Sequence, residues 1–162
     1  MSVFHNVSHT QCAHRLTQAE KIDLFTHGLR APTLVETSRT ASVLGVRFNA
    51  GEWAPQQLNG TYRCGSVITT MFRGRSRYCL VRKFIRVVNK DFACVTWFSK
   101  PVYPYAPNLL VVKVRLLMRL DPLLPSVLPL DVIDPTPVIV DPDDDGFYMM
   151  RLKGYDRVRP GI

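Results

Sequence analysis

The sequence predicts a mainly β fold: a small antiparallel curved barrel of Tudor or BAH type, with a short N-terminal helix and an extended Pro-rich C-terminal strap. Three observations carry this expectation. From residue 43 onward the apolar residues recur with a period near two, in runs rich in Val, Ile and Phe. Short turn-forming stretches such as "RGRSR" and "NKD" separate those runs, as consecutive antiparallel strands require. The chain has 162 residues, 46% of them hydrophobic, which is enough for one domain with a real core.

The elements follow in order. In "LTQAEKIDLFTHG", Thr17 and Glu20 have the spacing of a capping box, Ile22 and Phe25 share a face, and Gly28 suits a helix stop. A helix of about ten residues is expected there, within an N-terminal arm covering 1–42. Residues 29–42 keep no sustained period and read as a connection holding at most one short strand. The barrel is placed at 43–120. Its strands are "VLGVRF", "YRCGSVITTMF", a long "YCLVRKFIRVV", "FACVTWF" and "LLVVKVRLL". The segment 121–146 has six prolines and regularly spaced Leu, Val and Ile, so it is expected to lie extended over the barrel as a strap. The tail, 147–162, regains strand character in "FYMMRLKGYDRV" and is expected to pair at an edge.

Charge is distributed unevenly. Residues 63–119 hold twelve Lys or Arg against the single Asp91, whereas 120–146 hold seven Asp and no base. A basic block followed by an acidic one suits a polyanion partner, or a strap that folds back over its own basic surface. The densest basic stretch is "FRGRSRYCLVRKFIRV". Strict alternation through 78–88 would put Arg82 and Arg86 on one face with Tyr78, Leu80 and Phe84, and would leave Cys79, Val81, Lys83, Ile85 and Val87 on the core face. Arg73, Arg75 and Arg77 would then crowd a hairpin tip. Arg73, Arg75, Arg77, Arg82, Lys83 and Arg86 are therefore the candidate nucleic-acid contacts, since a phosphate backbone needs cations on an accessible ridge. The bland reading of the same residues is the solvated side of a sheet, kept charged against aggregation.

A second constellation is aromatic. Trp53, Tyr62, Trp97, Phe98, Tyr103 and Tyr105 are candidates for a cage around a methylated ammonium group, with Glu52 and Asp91 as acidic partners. Against this, Trp97 alternates with Val95 and Ala93 as core residues do. His5, His9, Cys12 and His14 are zinc-binding types at spacings that match no familiar finger, and "DPDDDG" lacks the spacing of a calcium loop, so no metal and no cofactor are expected. Cys12, Cys64, Cys79 and Cys94 form no C-x-x-C pair, and the last three, fifteen apart in strand-like segments, read as free, buried thiols. Neither a Gly-rich phosphate loop nor a nucleophile elbow is present, and an enzyme is not expected. The N-terminus has no signal-peptide character and "NLLVVKVRLLMRL" is broken by Lys113, Arg115 and Arg119, which predicts an intracellular protein without membrane spans.

"CGSVITTMFRGRSRYCLVRKFIRV", followed by "FACVTWFSKPVYPYAPNLLVVKV" and the closing "MRLKGYDRV", resembles the C-terminal barrel region of proteins encoded by CACTA-type (En/Spm-like) transposons and their domesticated relatives. The likeness spans roughly residues 43–117 and is a pattern of strands and aromatics. Tudor and BAH chromatin-reading barrels are similar more remotely. The resemblance implies a nuclear, DNA-associated or chromatin-associated accessory module; the transposase acidic triad has no recognisable counterpart here. The leading expectation is thus a non-enzymatic nucleic-acid or chromatin-binding module. The alternative is a protein-interaction or structural barrel whose basic face is covered by its own acidic strap or by an acidic partner protein.

Overall fold

The computed structural model describes residues 2–5, 9–12, 16–29, 34–51, 67–104, 111–117, 123–136, 138–143 and 145–151. The N-terminal strands β1 (Ser2–His5) and β2 (His9–Cys12) precede the helix α1 (Gln18–Thr26). The capping box forms as the sequence requires: the Thr17 hydroxyl accepts from the Glu20 backbone N–H, and the Glu20 carboxylate accepts from the Thr17 N–H. The face that docks is not the one carrying Ile22 and Phe25, which stand 55% and 70% exposed. Leu24 and Glu20 are buried instead. The docking face is mixed: Leu24 enters an apolar cluster with Ile85, Val87 and Phe92, and Glu20 meets Arg82 and Lys83.

Two strands, β3 (Leu34–Ser38) and β4 (Thr40–Val43), fill the stretch expected to be mainly a connection, and β5 (Val46–Asn49) follows. The run "VLGVRF" is therefore no single strand. It holds a two-residue turn at Leu44–Gly45 that joins β4 to β5. Next come β6 (Val67–Phe72), β7 (Arg75–Val87) and β8 (Lys90–Trp97), two hairpins in succession. The three-residue β9 (Val112–Val114) is shorter than "LLVVKVRLL" suggested.

The strap does more than lie on the surface. It supplies β10 (Val127–Pro129), a 3-10 turn at Leu130–Val132 and β11 (Ile133–Asp134). β10 pairs with β8, and β11 with β6. The chain then forms β12 (Val138–Asp143) and β13 (Gly146–Arg151), which with β9 make a three-stranded sheet in the order β12-β13-β9. Of the strap's described prolines, Pro129 ends β10 and Pro142 lies in β12, an outer strand of its sheet, positions where proline is tolerated.

β7 organises the molecule. β8 runs along one of its sides, while the other side pairs with β6 over Arg75–Leu80 and with β3 over Phe84–Arg86. The large sheet, ordered β10-β8-β7-β3-β2 with β6 and β11 beside it, is curled but open. This corrects the expected closed Tudor or BAH barrel. Among the described residues no ladder joins the β10 edge to β2 or β11, because two short strands share one side of β7 and the strap ends the sheet on the other side.

The expected alternation through β7 also fails, at a β-bulge. Val81 pairs with Val95 but Lys83 with Cys94, so Arg82 is the extra residue. The bulge reverses the parity of the second half of the strand. Cys79, Val81 and Phe84 thereby share one face with Ala93, Val95 and Trp97, beneath Ala41, Val43 and Phe48 and the strap residues Leu124, Leu128, Leu130 and Ile133. On the opposite face, Ile85, Val87, Phe92 and Cys94 pack under Leu16, Leu24 and Leu29. Tyr78, Leu80 and Phe98 meet Val112, Val114, Phe147 and Met149. Both faces are covered, so Tyr78, Leu80 and Phe84 are core and not the wet side of a sheet.

Candidate functional site

The β6–β7 hairpin turns through Arg73 and Gly74, at φ of 51° and 77°, with Phe72 opposite Arg75. Positive φ at both central residues is the turn whose twist matches the flanking strands, and it projects the tip away from the sheet. Arg73 and Arg75 are exposed there. Arg77, expected beside them, points inward and keeps 7% of its surface accessible. Its Nη2 donates to the Phe98 carbonyl at 3.0 Å, and its guanidinium lies 5.6 Å from the Trp97 ring centroid. Trp97 in turn contacts the Phe72 ring at 5.5 Å, and Arg73 lies 5.2 Å over Phe72. Guanidinium, ring, ring and guanidinium thus form a continuous stack from the tip into the core. The Trp97 Nε1–H fixes its far end on the strap by donating to the Pro125 carbonyl at 2.6 Å.

Phe72, Arg73 and Arg77 of this stack line a cleft of 740 Å³. Arg73, Arg75, Arg77 and Lys100 contribute four cationic side chains to it, Phe72 and Tyr103 its rings, and Leu123 and Leu124 an apolar border. No acidic residue lines it, among the described residues. Arg77 carries the most informative defect: its Nε is buried with no hydrogen-bond acceptor. Arg82 and Arg151 also leave Nε unsatisfied, but each has a carboxylate, Glu20 and Asp134 respectively. Arg77 has no ion pair among the described residues.

The other three candidate contacts lie elsewhere and are engaged by neighbours. Arg82 and Lys83 both pair with the buried Glu20, at 3.2 and 3.3 Å. Arg86 meets Asp91 at 2.7 Å across the β7–β8 hairpin and Glu36 at 3.7 Å on β3. Burial works to raise the Glu20 carboxyl, but the Thr17 backbone N–H, the Cys94 thiol and then the charges of Lys83 and Arg82 hold it below its ordinary value. Among the described residues, two acids of the strap segment are engaged away from the hairpin: Asp145 pairs with Lys113 and Arg115, and Asp134 with Arg151. Lys100 and Phe72 belong to the cleft but were not singled out by the sequence. Lys100 lies in the loop after β8, far from the hairpin in the chain, and only the fold brings them together.

The described aromatic candidates do not share one surface. Trp97 and Phe98 are buried on opposite faces, Tyr103 is 59% exposed on the cleft, and Trp53, Tyr62 and Tyr105 lie outside the described residues, as does Glu52. His5 falls in β1, and His9 and Cys12 in β2, strands of different sheets; His14 is outside the described residues. No group of three or more His, Cys, Asp or Glu side chains is placed to hold a metal, among the described residues. Cys79 and Cys94 are free and buried, and burial pushes both thiols well above the ordinary range, which keeps them protonated and unreactive. No described helix is long and apolar enough to cross a membrane. No family model matches the chain, and no curated protein or solved structure matches it either.

Proposed function

We propose that this chain is a non-enzymatic module that binds nucleic acid, as a DNA-associated or chromatin-associated accessory in the nucleus, and that the contact is centred on the cleft of the β6–β7 hairpin. The observation that carries this reading is the exposed pair Arg73 and Arg75, set with Lys100 around a cleft that contains no carboxylate among the described residues. Cations that are not spent on internal partners are the ones that release counterions from a phosphate backbone. Arg82, Lys83 and Arg86 support the fold from within and are secondary to the contact. The resemblance of residues 43–117 to CACTA-type transposon proteins points to the same class of partner.

The test is the double charge reversal Arg73→Glu and Arg75→Glu. Arg77 is left intact because it is buried, so reversing it would disturb the core. Affinity for a labelled oligonucleotide should fall at least tenfold at low salt, with the melting temperature unchanged. With three phosphate contacts, the logarithm of the wild-type affinity should fall with the logarithm of salt concentration at a slope of about −2 to −3. Equal binding by variant and wild type would remove the cleft from consideration.

A further inference from the structure

We infer that the cleft seats one unstacked nucleotide, so that the chain prefers single-stranded nucleic acid to duplex. The inference rests on the nucleic-acid reading above and adds the form of the strand. A duplex offers a protein its phosphate ridges and groove edges, and its base faces are hidden in the stack. A flat basic surface suffices for that contact. Here the cations surround a recess of 740 Å³, within the range of sites that enclose a small molecule.

What the recess contains is matched to a base. Tyr103 is 59% exposed on its wall and Leu123 is 63% exposed at its border. An exposed ring beside cations is the arrangement on which single strands stack, because every base has a π-face. Deeper in, Arg77 contributes a fixed positive charge to the wall, its guanidinium held by the Phe98 carbonyl and the Trp97 ring. Arg73, Arg75 and Lys100 hold the flanking phosphates. A methylated ammonium ligand does not suit the recess, since it would meet four cations.

The experiment compares four probes at one salt concentration: an oligothymidine of about twelve nucleotides, a duplex of the same length, heparin, and polyglutamate. Expected are a preference for oligothymidine over duplex of about tenfold or more, and a loss of about tenfold in oligothymidine affinity for Tyr103→Ala with heparin binding unchanged. Equal affinity for strand and duplex, with Tyr103→Ala neutral and Arg73→Glu/Arg75→Glu weakening both, overturns the nucleotide inference and leaves the nucleic-acid reading intact. Tight polyglutamate binding without oligonucleotide binding overturns both, and assigns the cleft to an acidic protein.

Discussion

Glu20 has no accessible surface, and it is the shared counterion of Arg82 and Lys83 at the bulge of β7. Replacing it with Gln should cost about 3 kcal/mol in urea unfolding, toward the low end for a broken buried pair, because both cations keep about a quarter of their side-chain surface in water. The pH dependence has a definite sign. The folded carboxyl titrates below its ordinary value of 4.5, so its contribution is complete above that pH and is lost as pH falls through the folded value. The urea midpoint of the wild type should decline below about pH 4.5, and the Glu20→Gln variant should decline less steeply. Trp97→Ala should cost about 3–5 kcal/mol, since the ring is 5% exposed and couples strap, hairpin and Arg77. At this scale the sequence was partly legible. The capping box could be read because both of its bonds lie within one turn of chain, and Trp97 could be read as core from its alternation. The pairing of Arg82 with Glu20 and of Arg86 with Glu36 could not, because those carboxylates are remote in sequence and only the packing of α1 and β3 on β7 brings them near.

At the scale of elements, three two-residue turns share one backbone form. Leu44–Gly45, Arg73–Gly74 and Val88–Asn89 all have positive φ at both positions. Val88 is the least suited to it, since a β-branched side chain at φ of 49° crowds its own backbone, and the residue is 68% exposed. Val88→Asn should therefore stabilise by about 1 kcal/mol, read as a rise in melting temperature with the fold unchanged. Gly146 is constrained for a different reason. A Cβ there would stand 2.5 Å from the Val114 carbonyl oxygen, so Gly146→Ala must push β13 away from β9 and should cost about 1–3 kcal/mol in the same assay. These turns also show what the sequence concealed. "RGRSR" announced its turn through Gly74, whereas the Leu44 turn sat inside an apolar run and the Val88 turn lay one residue before "NKD". The adjacent charges of Arg82 and Lys83 were the only trace of the bulge, and the parity change they mark is what put Phe84 on the face of Val81 and Trp97.

For the molecule as a whole, the strap decides whether the sheet is finished. Leu130 is 2% exposed, and with Leu124, Leu128 and Ile133 it covers the face that carries Phe84, Val95 and Trp97. Leu130→Ala should cost about 2–5 kcal/mol, as in any core, and a denaturation curve would distinguish this from the near-neutral result of a loosely laid segment. The mainly β class and the helix were legible from period and caps. The open curl was not, because closure depends on which strands pair at the edges, and that is settled by contacts such as Ile133 with Thr70 that leave no local signature.

That long-range pairing also sets an order of assembly. The Thr70 hydroxyl donates to the Val132 carbonyl, 62 residues further along the chain, and β10 reaches back to β8. On the ribosome, β6, β7 and β8 emerge before the strap, so the part of the Phe84, Val95 and Trp97 face that Leu124, Leu128, Leu130 and Ile133 cover stays open until synthesis has passed Ile133. A nascent or prematurely terminated chain ending before the strap is thus an exposed sheet surface, the kind of substrate that chaperones hold and that proteases remove.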